Sequence, residues 1–84
     1  MTVHDLNVYF SKQVSGAEQN YAENNELALM LLSSEYVHAV CETFLEGGVM
    51  VWHVTIRDDG RHWSAKEHRL AHAICRALWE YKER

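Results

Sequence analysis

Long apolar runs are missing from these 84 residues: none approaches the roughly 18 that a membrane span requires. The N-terminus also lacks a charged-then-apolar signal pattern, so a cytoplasmic protein is expected. Cysteine is scarce. Cys41 and Cys75 have neither the spacing of a redox pair nor that of a zinc knuckle, and two reduced, buried thiols acting as small hydrophobes are expected. No glycine-rich loop suited to cradling phosphate occurs, and no serine is framed as a nucleophile elbow. Internal repeats and low-complexity segments are absent as well.

Positive charge is scarce in one half only. Between Met1 and Val49, Lys12 is the single cation against Asp5, Glu18, Glu23, Glu26, Glu35, Glu42 and Glu46, a balance of −6 within an overall −4. Met50 to Arg84 carries seven cations against five acids, a balance of +2. An acidic half is a poor surface for a phosphate backbone, because binding duplex depends on cations that displace counterions. It is either a solvated face or a face matched to a basic partner.

What is present is material for one core. Hydrophobic residues make up 48 %, with three Trp, four Tyr and two Phe, enough for a single domain over 1–84. A chain this short buries only roughly 60 % of its unfolded surface, so its stability margin is small. Val49 to Arg57 is the clearest strand: Met50, Trp52, Val54 and Ile56 alternate with Val49, Val51, His53 and Thr55. Asp58-Asp59-Gly60 turns the chain, and Arg61 to Ala65 returns as a shorter strand carrying Trp63. Ser64 with Glu67 three residues on is a capping-box pattern, which predicts a helix over 65–82 with Leu70, Ala71, Ile74, Cys75, Leu78 and Tyr81 as its buried stripe.

The first half is less regular. Met1 to Phe10 fits a helix through Val3, Leu6 and Phe10 or a strand through Leu6, Val8 and Phe10, and Thr2 as a cap favours the helix. Ser11 to Asn25 reads as a surface loop containing Gly16, with Tyr21 anchoring it to the core. Residues 24–33 predict a helix capped by Asn24 or Asn25, with Leu27, Met30, Leu31 and Leu32 as its apolar face. Glu35 to Leu45 fits either period. Its β-branched and aromatic density, with Gly47-Gly48 following, favours a strand, so that 36–65 forms a meander. The expected architecture is α+β, a three-stranded antiparallel β-meander packed with helices in a helix-sheet-helix sandwich.

Chemistry has few footholds. His68 and His72 are four apart on the expected helix and would share a face, but Arg69 occupies the position where a zinc-protease helix needs Glu. No metal, cofactor or catalytic residue is expected, and Asp58-Asp59 is read as turn chemistry rather than a carboxylate pair. Trp79, His62 and Tyr81 could stack on bases beside Arg57, Arg61, Lys66, Arg69 and Arg76, yet acids interleave them. Trp79 itself is either a cover for the core edge or an anchor for a partner.

The run Leu70-Ala71-His72-Ala73-Ile74-Cys75-Arg76-Ala77-Leu78, preceded by Ser64-Ala65, resembles the C-terminal helix of the phage ABA sandwich domain family, which follows a Trp-containing strand pair. Tyr21, Ala28 and Leu31-Leu32 are similar to that family's first helix, and Trp52-His53-Val54 falls at its tryptophan strand. The likeness runs from Tyr21 onward, while the first ten residues depart from it. It implies a small phage or prophage protein with no catalytic residues to carry over.

The resulting expectation is a non-enzymatic accessory protein in the host bacterial cytoplasm. Its partner would be a host protein or ribonucleoprotein complex, in the manner of an anti-CRISPR inhibitor, with homodimerisation left open. The partner-binding candidates are Glu18, Glu23, Glu26 and Glu35 on the acidic half and His68, Arg69, His72, Arg76 and Trp79 on the last helix. The alternative is a small nucleic-acid-binding or regulatory protein using the basic face of that helix.

Overall fold

A computed structural model describes residues 1–14 and 18–84, so Gly16 of the expected loop lies outside the described residues. The elements run α1 (Val3–Val14), α2 (Asn25–Ser34), β1 (His38–Glu46), β2 (Val49–Asp58), β3 (Arg61–Glu67) and α3 (Leu70–Lys82). This is an α+β fold, a three-stranded antiparallel meander in the order β1-β2-β3 with helices packed on it.

The N-terminal ambiguity resolves to helix. Thr2 Oγ1 accepts the Asp5 N–H at 3.1 Å while the Asp5 carboxylate accepts the Thr2 N–H, so the two residues cap each other. Leu6 with Phe10 and Asn7 with Ser11 are then neighbours one turn apart, and all four are buried. The helix continues through Ser11–Val14, which the sequence assigned to the loop. Ser11 is not solvated there, because its hydroxyl accepts the Gln19 N–H at 2.8 Å. Tyr21 anchors the following segment with 1 % of its surface exposed. In α2 the expected apolar face narrows: Ala28 and Leu31 are buried, but Met30 is 59 % exposed. Its main neighbour among the described elements is α3, and one neighbour covers only one stripe.

The sheet follows from its turns. Gly47 and Gly48 both have positive φ (58° and 81°), as a two-residue type I′ turn requires, and Asp59 and Gly60 (52° and 77°) repeat the device. The first turn sets Glu46 opposite Val49 and the second sets Asp58 opposite Arg61, with no interruption of register along either pair. One face therefore carries Ala39, Cys41 and Thr43 on β1, Trp52, Val54 and Ile56 on β2, and Trp63, Ala65 and Glu67 on β3. Val54, Ile56 and Ala65 belong to the core, and Trp63 meets Tyr81 edge to face at 5.0 Å.

The capping-box reading of Ser64 and Glu67 is wrong. Both lie in β3, opposite Thr55 and Trp52, and the chain bends at His68 and Arg69 before α3 starts at Leu70. Of the expected stripe of α3, Ala71, Ile74, Cys75, Leu78 and Tyr81 are buried and Leu70 is half-buried, and Ala73 and Ala77 widen it because the helix is covered on two sides. It packs on β2 and β3 with one side, and receives α2 and, more lightly, α1 on the other. Tyr9 on α1 donates its hydroxyl proton to Glu83 at 2.9 Å, and Tyr81 donates its own to Asp58 at 2.8 Å. The layers thus run sheet, α3, then α1 and α2, rather than helix, sheet, helix. Leu6, Phe10, Ala28 and Leu31 share one core cluster with Val54 and Ile56, and among the described residues no helix packs on the opposite face.

The two cysteines part company for the same reason. Cys75 is buried on α3, where desolvation pushes its thiol pKa up to about 12. Cys41 faces the helix side of the sheet but on β1, which α3 does not cover, and it is exposed rather than buried as expected. A water-soluble thiol reagent at pH 8 should modify Cys41 in the native protein and Cys75 only after denaturation. Equal labelling rates would show that α3 is not packed as described.

Candidate functional site

The nine candidate residues do not form one surface. Glu18 lies 3.5 Å from His4, Glu23 accepts a hydrogen bond from the Asn7 carboxamide at 3.0 Å, and Glu35 at the end of α2 is ion-paired with Lys82. Glu26, in the first turn of α2, has no ion-pair partner among the described residues. The expected acidic face is therefore largely occupied by contacts within the chain, and Glu35 sits at the opposite end of α2 from Glu26.

His68 and His72 do not share a helix face. His68 precedes the helix, with Nδ1 3.4 Å from the Met50 carbonyl oxygen, whereas His72 is inside α3 with Nδ1 3.4 Å from Glu67. Arg76, one turn further along, is bound to the same Glu67. Glu67 thus ties the end of β3 to two turns of α3, a role that sequence reasoning missed by placing it in a helix cap. His72 Nε2 is buried without a hydrogen-bond partner among the described residues. No group of three or more His, Cys, Asp or Glu among the described residues is placed to hold a metal ion.

The basic face of α3 is likewise engaged. Arg76 is held by Glu67 and Lys82 by Glu35, while the Arg84 guanidinium lies 4.2 Å from the Tyr81 ring and 5.7 Å from that of Trp63. Arg61 covers Trp63 from the other end of β3 at 5.2 Å. Trp79 packs against the core while half-buried, so it covers a core edge. The Asp58 carboxylate that accepts the Tyr81 proton holds that phenol above its ordinary value.

The turn into α3 is built across the fold. Arg69 occupies the N-cap position, but its side chain caps nothing. The Ala71 N–H is instead accepted at 3.1 Å by the carboxamide oxygen of Asn25 on α2. Its neighbour Asn24 caps α2 itself, accepting the Leu27 N–H at 3.1 Å. The two adjacent asparagines therefore cap two different helices. Around this joint, Glu23, Glu26, Trp52, His68 and Arg69 line an open groove. Asn25→Ala should cost about 1 kcal/mol, as losing a helix cap does, even though Asn25 is not the cap of its own helix. Amide exchange at Ala71 reads this directly, and an unchanged rate would remove Asn25 from the joint.

The surface with fewest internal commitments is the far face of the sheet. It carries His38, Val40, Glu42, Phe44 and Glu46 on β1, Val49, Val51, His53, Thr55 and Arg57 on β2, and His62, Ser64 and Lys66 on β3. Val51 is 6 % exposed yet stands outside the core cluster. It is covered locally: Lys66 reaches from β3 to Glu46 on β1 at 2.6 Å, and Phe44 and His53 set their rings 6.2 Å apart. Phe44 and Val49 remain 42 % and 51 % exposed. The helix-sheet-helix expectation gives this face a helix, while its milder apolar character in the sequence already fits a sheet with one covered face. No family model, curated protein or solved structure matches this chain.

Proposed function

We propose that the chain is a small non-enzymatic binding protein, of the phage or prophage accessory kind, that docks on a host protein through the far face of its sheet. The observation that carries this reading is the one-sided placement of the helices, which leaves Val40, Phe44, Val49 and Thr55 on a face that no helix among the described residues covers. Uncovered sheet faces with apolar centres and charged margins suit protein partners. Charge points the same way, since Arg57 and Lys66 on this face are matched by Glu42 and Glu46 and offer no excess for phosphate. The −6 first half and the likeness of Leu70–Leu78 to a phage protein helix support an anti-defence role of the anti-CRISPR type. With Glu18, Glu23 and Glu35 engaged internally, the acidic half is a secondary contact in this reading.

A tagged pull-down from host lysate tests it with two variants. Thr55→Glu, on the central strand of the far face, should abolish capture of the partner while leaving the circular dichroism spectrum unchanged. The combined Glu18→Gln, Glu23→Gln, Glu26→Gln and Glu35→Gln variant should retain it. The reverse pattern would return the acidic half to first place. Saturable, salt-sensitive binding of the wild type in a gel shift would favour the nucleic-acid alternative.

A further inference from the structure

The free edge of β1 has an independent use. Natural edge strands are guarded by charged side chains, lysine above all, by proline, by a bulge or by short length. β1 is nine residues long, contains neither Pro nor Lys, pairs with β2 without interruption, and carries Glu42 and Glu46 as its charges. Because the two-residue turn closes on Glu46 and Val49, these two form a hydrogen-bonded pair, and the even-numbered residues of β1 direct their N–H and C=O groups at β2. The backbone groups of Ala39, Cys41, Thr43 and Leu45 therefore point away from the sheet and are unpaired in the meander.

We propose that a second copy of this chain pairs with β1, antiparallel and centred on Glu42, to make a continuous six-stranded sheet. Outward hydrogen-bonding groups on odd residues require odd residues to face odd residues, so the two-fold axis stands perpendicular to the sheet and both copies keep their helices on the same side. Among such registers, the one centred on Glu42 uses all nine residues. It sets Val40 opposite Phe44 of the second copy, Ala39 opposite Leu45, Cys41 opposite Thr43, and His38 opposite Glu46, each twice. It also brings the second copy's hairpin tip, with Leu45 74 % and Met50 52 % exposed, to the α2–β1 turn, where Tyr36 is 96 % exposed. Centring on Cys41 would oppose Val40 to Glu42 and leave Leu45 beyond the paired strand. The chosen register has one unfavourable pair, Glu42 against Glu42, and that makes it testable.

Sedimentation equilibrium should show a reversible dimer. Glu42→Gln should tighten it about two- to fivefold, the worth of one like-charge cross-strand pair. An equimolar mixture of wild type and Glu42→Lys should favour the mixed dimer over either homodimer. Thr43→Cys, oxidised, should form covalent dimers through Cys41 of one copy and the introduced thiol of the other, since opposed residues meet at disulfide-compatible distance. Wild-type Cys41 should not link to itself. A monomer at every soluble concentration would overturn the proposal. A dimer unmoved by both Glu42 substitutions, or one linked through wild-type Cys41, would overturn the register. Thr55→Glu lies on the central strand and should leave dimerisation intact, so failure of the docking face and failure of the dimer are separately visible.

Discussion

Ile74→Ala is expected to destabilise the protein by about 2–5 kcal/mol, the range for deleting a fully buried aliphatic side chain and leaving a cavity. Ile74 is completely buried on α3, which among the described elements packs on both the sheet and the other helices. Flanking Ala71, Ala73 and Ala77 are small and equally enclosed, so little can move in to fill the space. A domain of this length holds on the order of 5–10 kcal/mol, so the loss takes a large share of the total. In a chain this small each kcal/mol lowers the melting temperature by roughly 4–8 °C. Urea denaturation should show a lower midpoint at unchanged slope, and a shift equivalent to under about 1 kcal/mol would mean that α3 is not the central layer.

The second large effect is polar. Asn7 is buried in α1, and its carboxamide oxygen accepts the N–H of fully buried Ala22 at 2.7 Å while its nitrogen donates to Glu23. Asn7→Ala leaves the Ala22 N–H buried and unpaired, which costs about 1–3 kcal/mol. Asn7→Asp keeps an acceptor for Ala22 but sets a carboxylate against Glu23, so it should also destabilise. Glu23→Gln, by restoring a donor, should recover most of that loss. Denaturation of the single and double variants measures this coupling. If Glu23→Gln gives Asn7→Asp no relief, the side chains are not bonded as described.

Much of the fold is legible because it is locally encoded. The alternation from Val49 to Ile56, the Gly47-Gly48 and Asp59-Gly60 turns and the Thr2 cap each specify their own geometry within a few residues. The misreadings arise where a distant partner decides. Ser64 and Glu67 satisfy a cap pattern, but pairing of Glu67 with Trp52 and of Ser64 with Thr55 places them in a strand. The N–H groups at the start of α3 are served by Asn25, 46 residues away, which no local motif can announce. Alternation groups Cys41 with Ala39 and Thr43 on one side of a strand, but carries no information on whether a helix extends over β1. The candidate site was less legible still. Charge composition identified an acidic half, while the pairing of Glu35 with Lys82 and of Glu23 with Asn7 is tertiary.

The one-sided helix layer underlies both the docking face and the account of the core. Methyl resonances in the presence of a soluble paramagnetic agent test it most directly. Val49 and Thr55, on the far face, should broaden strongly, while Val54, Ile56 and Ile74 should be spared. Protection of Thr55 and Val49 equal to that of Ile56 would mean that both faces of the sheet are covered, and would contradict the account.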